Sequence, residues 1–390
     1  MGQQRPFHQI GRRGFLKTLS ALGGALTLFG LGAPHIARAM SPVSGRVGLL
    51  MPPNGARNLE AAMRATFAIT GGITLMTEQT DGGPASTLEK AQKLIAQNQP
   101  DLLVGAAGPQ GLDLLRPLLA QTGTVFIAVD SGANAVRKSE YSPWVFYQTL
   151  GYWHAGWAAG QWAARHLGGR AFAASSFFES GYDALASFQV SFEAAGGTVL
   201  QTSVTHVPPD PFDWQTLFAA IRGARPDFVY ALYGGDLAVA FVQAYAASGL
   251  AETIPLMGAP SLVDEALLPQ QGAAALGLRS CHTFLEPDGF ATLGCETAHM
   301  IVGALAGAGD AGGIAAALRE VRITGPRGRL RMQPTTQSVS MPVYLREVRQ
   351  GASGVRNEVI AALGMVAEDD PRLAPLTEGL RTGWLHAHLG

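Results

Sequence analysis

Short apolar runs alternate with amphipathic stretches of ten or more residues, and the alternation runs through the chain twice. In the first pass, Arg46–Met51, Ile73–Gln79, Asp101–Gly105 and Thr124–Val129 have strand character. Ala56–Thr70, Ala85–Gln97 and Pro109–Gln121 have helical spacing between them. Breakers such as Pro52-Pro53-Asn54-Gly55 and Asp81-Gly82-Gly83-Pro84 separate the elements. Strands that alternate with helices of this length build βαβ units and a parallel sheet.

The second pass begins with a helix at Tyr152–Leu167. Strands follow at Ala171–Ser175, Val199–Val204, Asp227–Leu232 and Ile254–Met257. Helices at Tyr182–Ala195, Asp213–Arg222 and Leu237–Ser248 alternate with them. Gln99-Pro100-Asp101 and Arg225-Pro226-Asp227 each end a helix and enter a buried strand, an echo between the halves. The expected architecture is α/β, with two similar parallel-sheet domains side by side. Beyond Leu278–Phe284 and helices near Gly294–Leu305 and Ile314–Arg319, the rhythm breaks. Gly328–Met332, Pro342–Arg349 and Val355–Ala361 read as extended, partly antiparallel segments, and Thr324–Gly328 as a hinge or crossover.

The N-terminus carries a different signal. Gly11-Arg12-Arg13-Gly14-Phe15-Leu16-Lys17 precedes an apolar stretch, Leu19–Gly32, and then the small-x-small triplet Ala37-Arg38-Ala39. That order defines an export signal, and the Arg-Arg-x-Phe-Leu-Lys string resembles the twin-arginine consensus. The apolar stretch is shorter than the ~20 residues that span a bilayer. Cleavage near Ala39 and a soluble periplasmic chain are expected. Of the 28 basic and 29 acidic residues, five basic and no acidic ones fall within residues 1–39. The remainder carries 23 against 29, a net charge of −6. An acidic chain lacks the basic face that nucleic acid requires. The remaining length of about 350 residues suits two domains.

Cys281 and Cys295 leave three readings open: a disulfide, two free buried thiols, or a metal site with His282 and His299. The last is poorly spaced, because adjacent residues on a strand face opposite sides. No metal and no cofactor are expected. His386-Ala387-His388 reads as a solvated tail. Catalytic signatures are absent: there is no Gly-x-Ser-x-Gly elbow, His-Glu-x-x-His or Cys-x-x-Cys. Gly105-x-x-Gly108-x-x-Gly111 is not the dinucleotide fingerprint, so an enzyme is not expected.

Several strings in order carry a resemblance. They are Pro226-Asp227-Phe228-Val229-Tyr230, Gly234-Gly235, Ala247-Ser248-Gly249-Leu250, Pro255-Leu256-Met257-Gly258, and Val321–Gly328 running into Pro342-Val343-Tyr344. In these the chain resembles type I periplasmic solute-binding proteins of the branched-chain amino-acid (Leu/Ile/Val) class. The resemblance implies a receptor of an ABC importer. It would hinge closed on a small organic solute and hand it to permease and ATPase subunits, working as a monomer. A sensory module that reports to a membrane partner is the alternative. The resemblance also implies two doubly wound parallel-sheet lobes joined by three crossovers, near Gln148–Tyr152, Gly258–Val263 and Met332–Ser340. One lobe would hold 44–148 and 262–332, the other 149–261 and 333–390.

Ligands of open parallel sheets bind at the carboxyl ends of the strands. Those ends nominate Arg57, Ala107, Gly108, Asp130, Ser131, Trp153, Phe178, Tyr182, Tyr233, Asp236 and Pro260. Amino-acid-binding relatives grip a carboxylate with hydroxyls after two first-lobe strands, and an ammonium with an acid in the second lobe. Here Ala106-Ala107-Gly108 lacks a hydroxyl, and Ala259-Pro260 stands at the acid's place. The pocket is therefore expected to be less polar and more aromatic, with Trp153, Phe177 or Phe178, Tyr182 and Tyr233 around a flat solute. Asp130 would accept a cation or hydroxyl, and Arg57 would pair with a carboxylate. Phe177 and Phe178 are adjacent, so an extended segment would send only one into the cleft.

Overall fold

The structure, a computed structural model, describes residues 43–52, 57–206, 214–285, 288–308, 311–352, 354–368, 370–379 and 383–389. The side chains of residues 57 and 311 lie outside that description, and so does the export segment, residues 1–39. The first sheet contains β1 (Gly45–Met51), β2 (Ile73–Gln79), β3 (Leu102–Gly105), β4 (Val125–Ala128) and β5 (Val145–Tyr147). Its order is β2-β1-β3-β4-β5, parallel throughout. β3 and β4 are buried along their whole length, as parallel strands covered on both faces must be.

The second sheet is entered after the helix Tyr152–His166. It takes β6 (Arg170–Ser176), β7 (Thr198–Thr205), β8 (Phe228–Leu232), β9 (Leu256–Gly258) and β10 (Arg279–His282) in parallel. The chain then forms a small sheet, β11 (Arg322–Gly325), β12 (Gly328–Met332) and β13 (Val339–Ser340). It returns as β14 (Pro342–Gly351) and β15 (Gly354–Met365), antiparallel at the second sheet's edge in the order β15-β14-β10-β9-β8-β6-β7. The echo is structural: Gln99 and Arg225 both adopt left-handed backbone, φ 45° and 50°, just before their prolines. Such a residue ends a helix, and proline prevents its continuation.

Two expectations change. β10 pairs with β9 and β14 in the second sheet, so the middle crossover follows His282 and does not lie at 258–263. Residues 262–282 thus leave the lobe to which the resemblance assigned them. Thr324–Gly328 is the β11–β12 hairpin turn, not a crossover, because Gly325 pairs with Gly328 across it. The last crossing falls at Met341, between β13 and β14.

One buried ion pair ties the crossings together. Arg327 and Glu296 are both fully buried and 2.7 Å apart. Arg327 Nη1 donates to the Thr149 carbonyl at 2.7 Å and meets Met341 Sδ at 3.1 Å. Gln148 Nε2 donates to Glu296 at 3.2 Å. Thr149 belongs to the first crossing and Met341 to the last. Glu296 lies on the helix Gly289–Gly307 that follows the second.

Candidate functional site

The carboxyl ends of β3 and β4 face that of β6 across a cleft, where residues following all three strands bond the segment Gly383–Leu389. After β3, Ala107 precedes the helix Gly108–Thr122, whose first turn presents the Gln110 backbone N–H. After β4 come Asp130 and the fully buried Ser131. After β6, a single helical turn, Phe177–Ser180, is capped by Ser176, whose hydroxyl accepts from the Glu179 N–H. That turn carries Phe178 and Glu179 and leads to Tyr182. Tyr152 and Trp153 open their helix at the first crossing.

The lobes meet directly beside this cleft. Asp183 Oδ2 accepts from the Ala135 N–H at 3.0 Å and pairs with Arg137 Nη2 at 2.8 Å; both side chains are buried. Asn134 Oδ1 accepts from the Asp183 N–H at 3.2 Å.

The segment Gly383–Leu389 runs through the cleft, so the expectation of a solvated tail is overturned. Ser131 N–H donates to the His388 carbonyl at 2.9 Å, and Ser131 Oγ lies 2.9 Å from His388 Nδ1. His388 Nε2 is 3.2 Å from Glu179 Oε2. The imidazole lies edge-on to Tyr182, with centroids 4.7 Å apart, and stacks on Phe178 at 5.6 Å. Trp384 packs on Gly181, and its indole N–H donates to the Phe178 carbonyl at 2.7 Å. Burial in this setting pushes the Asp130 carboxyl up to about 6, although it accepts the Gly132 N–H; nearby His388 opposes the shift.

The candidates therefore divide. Gly108, Asp130, Ser131, Phe178 and Tyr182 converge on one place, with Ala107 behind the helix start. Trp153 is 5 % exposed and lines a small adjoining cavity. Phe177 and Phe178 sit on a helical turn, not an extended segment, so both reach the tail: Phe177 meets Trp384 at 5.5 Å. Tyr233 does not belong to the site. Its ring stacks on Phe241 in the second lobe's core and its hydroxyl bonds Thr205 at 2.9 Å. Asp236 is exposed in the first turn of the helix Gly235–Ala247, where an acid complements the helix dipole. Pro260 is buried in a 3-10 turn. Arg57's side chain lies outside the described residues.

The disulfide is not formed. Cys281 is a buried thiol on β10 of the second sheet, whereas Cys295 lies on the helix Gly289–Gly307, which packs on the helix Arg57–Thr70 beside the first sheet. His282, the metal reading's third member, meets Arg346 Nη2 at 3.0 Å instead. Gln110, Asn134 and Glu179 fall within the strand ends that the sequence nominates, Ala106–Gln110, Asp130–Asn134 and Phe177–Tyr182, but none of the three is singled out there. Glu179 was within reach, since Ser-x-x-Glu at 176–179 is a capping-box pattern marking a helical turn at a strand's carboxyl end.

Known proteins share this fold. The periplasmic binding protein family matches residues 39–289. A Leu/Ile/Val-binding protein homologue from Brucella melitensis is 23 % identical over 299 residues, covering 70 % of this chain and 76 % of its own. An ABC transporter substrate-binding protein from Sphaerobacter thermophilus superposes with a TM-score of 0.74 at 23 % identity, covering 82 % of this chain and 97 % of that one. A Rhodopseudomonas palustris solute-binding protein, solved in complex with 4-hydroxybenzoate, has a TM-score of 0.69 at 22 % identity, covering 84 % and 98 %. A family match over more than half the residues, on a fold of two α/β lobes about a cleft, carries the assignment: the chain belongs to the periplasmic binding protein family, as a solute-binding receptor and not an enzyme.

Proposed function

We propose that the chain is the receptor of an ABC importer for a small aromatic acid, exported by the twin-arginine route and cleaved near Ala39. The carrying observation is the chemistry that converges on one place in the cleft. Phe178 and Tyr182 offer rings about 5.5 Å apart and steeply inclined, a corner that accepts a flat solute edge-on to one and face-on to the other. We assign the solute's carboxylate to the donors on this side of the cleft, the Ser131 N–H and hydroxyl and the Gln110 N–H at a helix N-terminus. Glu179 stands opposite as acceptor for a hydroxyl or ammonium.

No acid stands at Ala259-Pro260, which weakens the case for an aliphatic amino acid. The Rhodopseudomonas palustris complexes with 4-hydroxybenzoate and 3,4-dihydroxybenzoic acid support the same solute class on the same fold. The family works with membrane permease and ATPase subunits, and we assign this chain such partners and action as a monomer. A thermal-shift screen across hydroxybenzoates, aromatic and branched-chain amino acids, amides and polyamines tests the reading. Hydroxybenzoates or aromatic amino acids should give the largest shifts, and leucine as the tightest ligand would refute it.

A further inference from the structure

We infer that this chain's solute cleft is occupied by its own segment Gly383–Leu389, with the His388 ring in the solute's place, so that solute and segment compete. The inference rests on the cleft being the solute site. The segment is held from both lobes. On the first, Gln110 N–H donates to the Leu385 carbonyl at 2.9 Å, Asn134 Nδ2 to the Trp384 carbonyl at 3.0 Å, and Ser131 N–H to the His388 carbonyl at 2.9 Å. On the second, Trp384 N–H donates to the Gly181 carbonyl at 2.8 Å, and its indole N–H to the Phe178 carbonyl.

These are the groups that the proposed solute would use. The Gln110 and Ser131 amides are spent on carbonyls of the segment, the Ser131 hydroxyl and Glu179 on the His388 ring, and the Phe178 and Tyr182 faces on the same ring. His388 is 2 % exposed. The cavity left beside it, lined by Asp130, Asn134, Tyr147, Thr149, Trp153 and Ser338, is about 30 Å³. That is room for about one water, whereas small-molecule pockets begin near about 300 Å³. A solute therefore enters only if the segment leaves. The fit is close: a Cβ on Gly108 would lie 2.4 Å from the Ala387 nitrogen, and one on Gly181 would lie 1.9 Å from the Trp384 indole. A solute that binds only the segment-out form has its apparent affinity reduced by the fraction of chains in that form.

Gly181 offers a clean test. Its φ of −79° suits alanine, so Gly181→Ala expels Trp384 without straining the backbone. The full-length wild type, Gly181→Ala and His388→Ala are titrated calorimetrically with 4-hydroxybenzoate, and the Trp384 and His388 amides are followed by hydrogen exchange. Both variants should bind about tenfold tighter or more, and saturating 4-hydroxybenzoate should strip protection from the wild-type segment. Equal or weaker binding by both variants, or a segment still protected at saturation, overturns the inference and leaves the proposed solute class standing.

A second arm needs no solute. The peptide Gly-Trp-Leu-His-Ala-His-Leu is titrated into full-length Trp384→Ala/His388→Ala, whose own segment has lost its anchors. Binding to this variant but not to wild type supports occupancy even if no aromatic acid binds, and absence of binding to the variant counts against it.

Discussion

Replacing Arg327 with methionine should strand a charge at the junction of the three crossings. Arg327 and Glu296 are both fully buried, and the guanidinium reaches the carboxylate at 2.7 Å. After Arg327→Met, Glu296 keeps the residue-327 backbone N–H at 3.1 Å and the Gln148 amide at 3.2 Å, but no cation from position 327. The Thr149 carbonyl loses its donor as well. An uncompensated buried charge costs about 3–5 kcal/mol, a large share of the about 5–15 kcal/mol that stabilises a native protein. Urea unfolding, followed by tryptophan fluorescence and circular dichroism, measures the loss. Replacing both partners, Arg327→Met with Glu296→Leu, removes the stranded charge and should return the chain to within about 2 kcal/mol of wild type. A single variant within about 1 kcal/mol of wild type would refute the reasoning, and so would a double variant no more stable than the single.

Two other outcomes follow from the same geometry. Burial lifts Asp130 from 3.8 to about 6 in the folded chain, so folding takes up a proton between those values and Asp130 costs stability as pH rises through them. Asp130→Asn keeps an acceptor for the Gly132 N–H; it should gain about 1–3 kcal/mol at about pH 7 and nothing below about pH 3.5, and an equal effect at both pH values in thermal unfolding would contradict this. Burial pushes both thiols up, and Cys281 is the more deeply enclosed. In a thiol titration Cys295 should react in the native protein and Cys281 only on unfolding, whereas no reactive thiol in denaturant would mean that the disulfide forms after all.

Much of the fold was legible because several of the parallel strands are short, largely apolar runs bounded by strong breakers. Leu102–Gly105 and Phe228–Leu232 are examples, buried from end to end. The misplaced crossover shows the limit. Nothing in Arg279–His282 tells which sheet receives it, since pairing with β9 and β14 is decided by partners distant in sequence. The site was half legible for a similar reason. Strand ends pointed to Ser131, Phe178 and Tyr182, but an aromatic after a strand can turn into the core as readily as into a cleft. Tyr233 did so, its hydroxyl satisfied by Thr205. The role of His388 was not readable at all, because a short run of mixed polar and apolar residues has no periodicity to betray burial, and its contact with Ser131 spans 257 residues.

The central claim, an aromatic solute held at Phe178, Tyr182 and Ser131, is tested most directly by calorimetric titration of 4-hydroxybenzoate into wild type and Tyr182→Ala. The account predicts one-to-one binding to wild type and a loss of about thirtyfold or more when the buried ring is removed. Unchanged affinity in Tyr182→Ala, or tighter binding of leucine than of 4-hydroxybenzoate to the wild type, would contradict it.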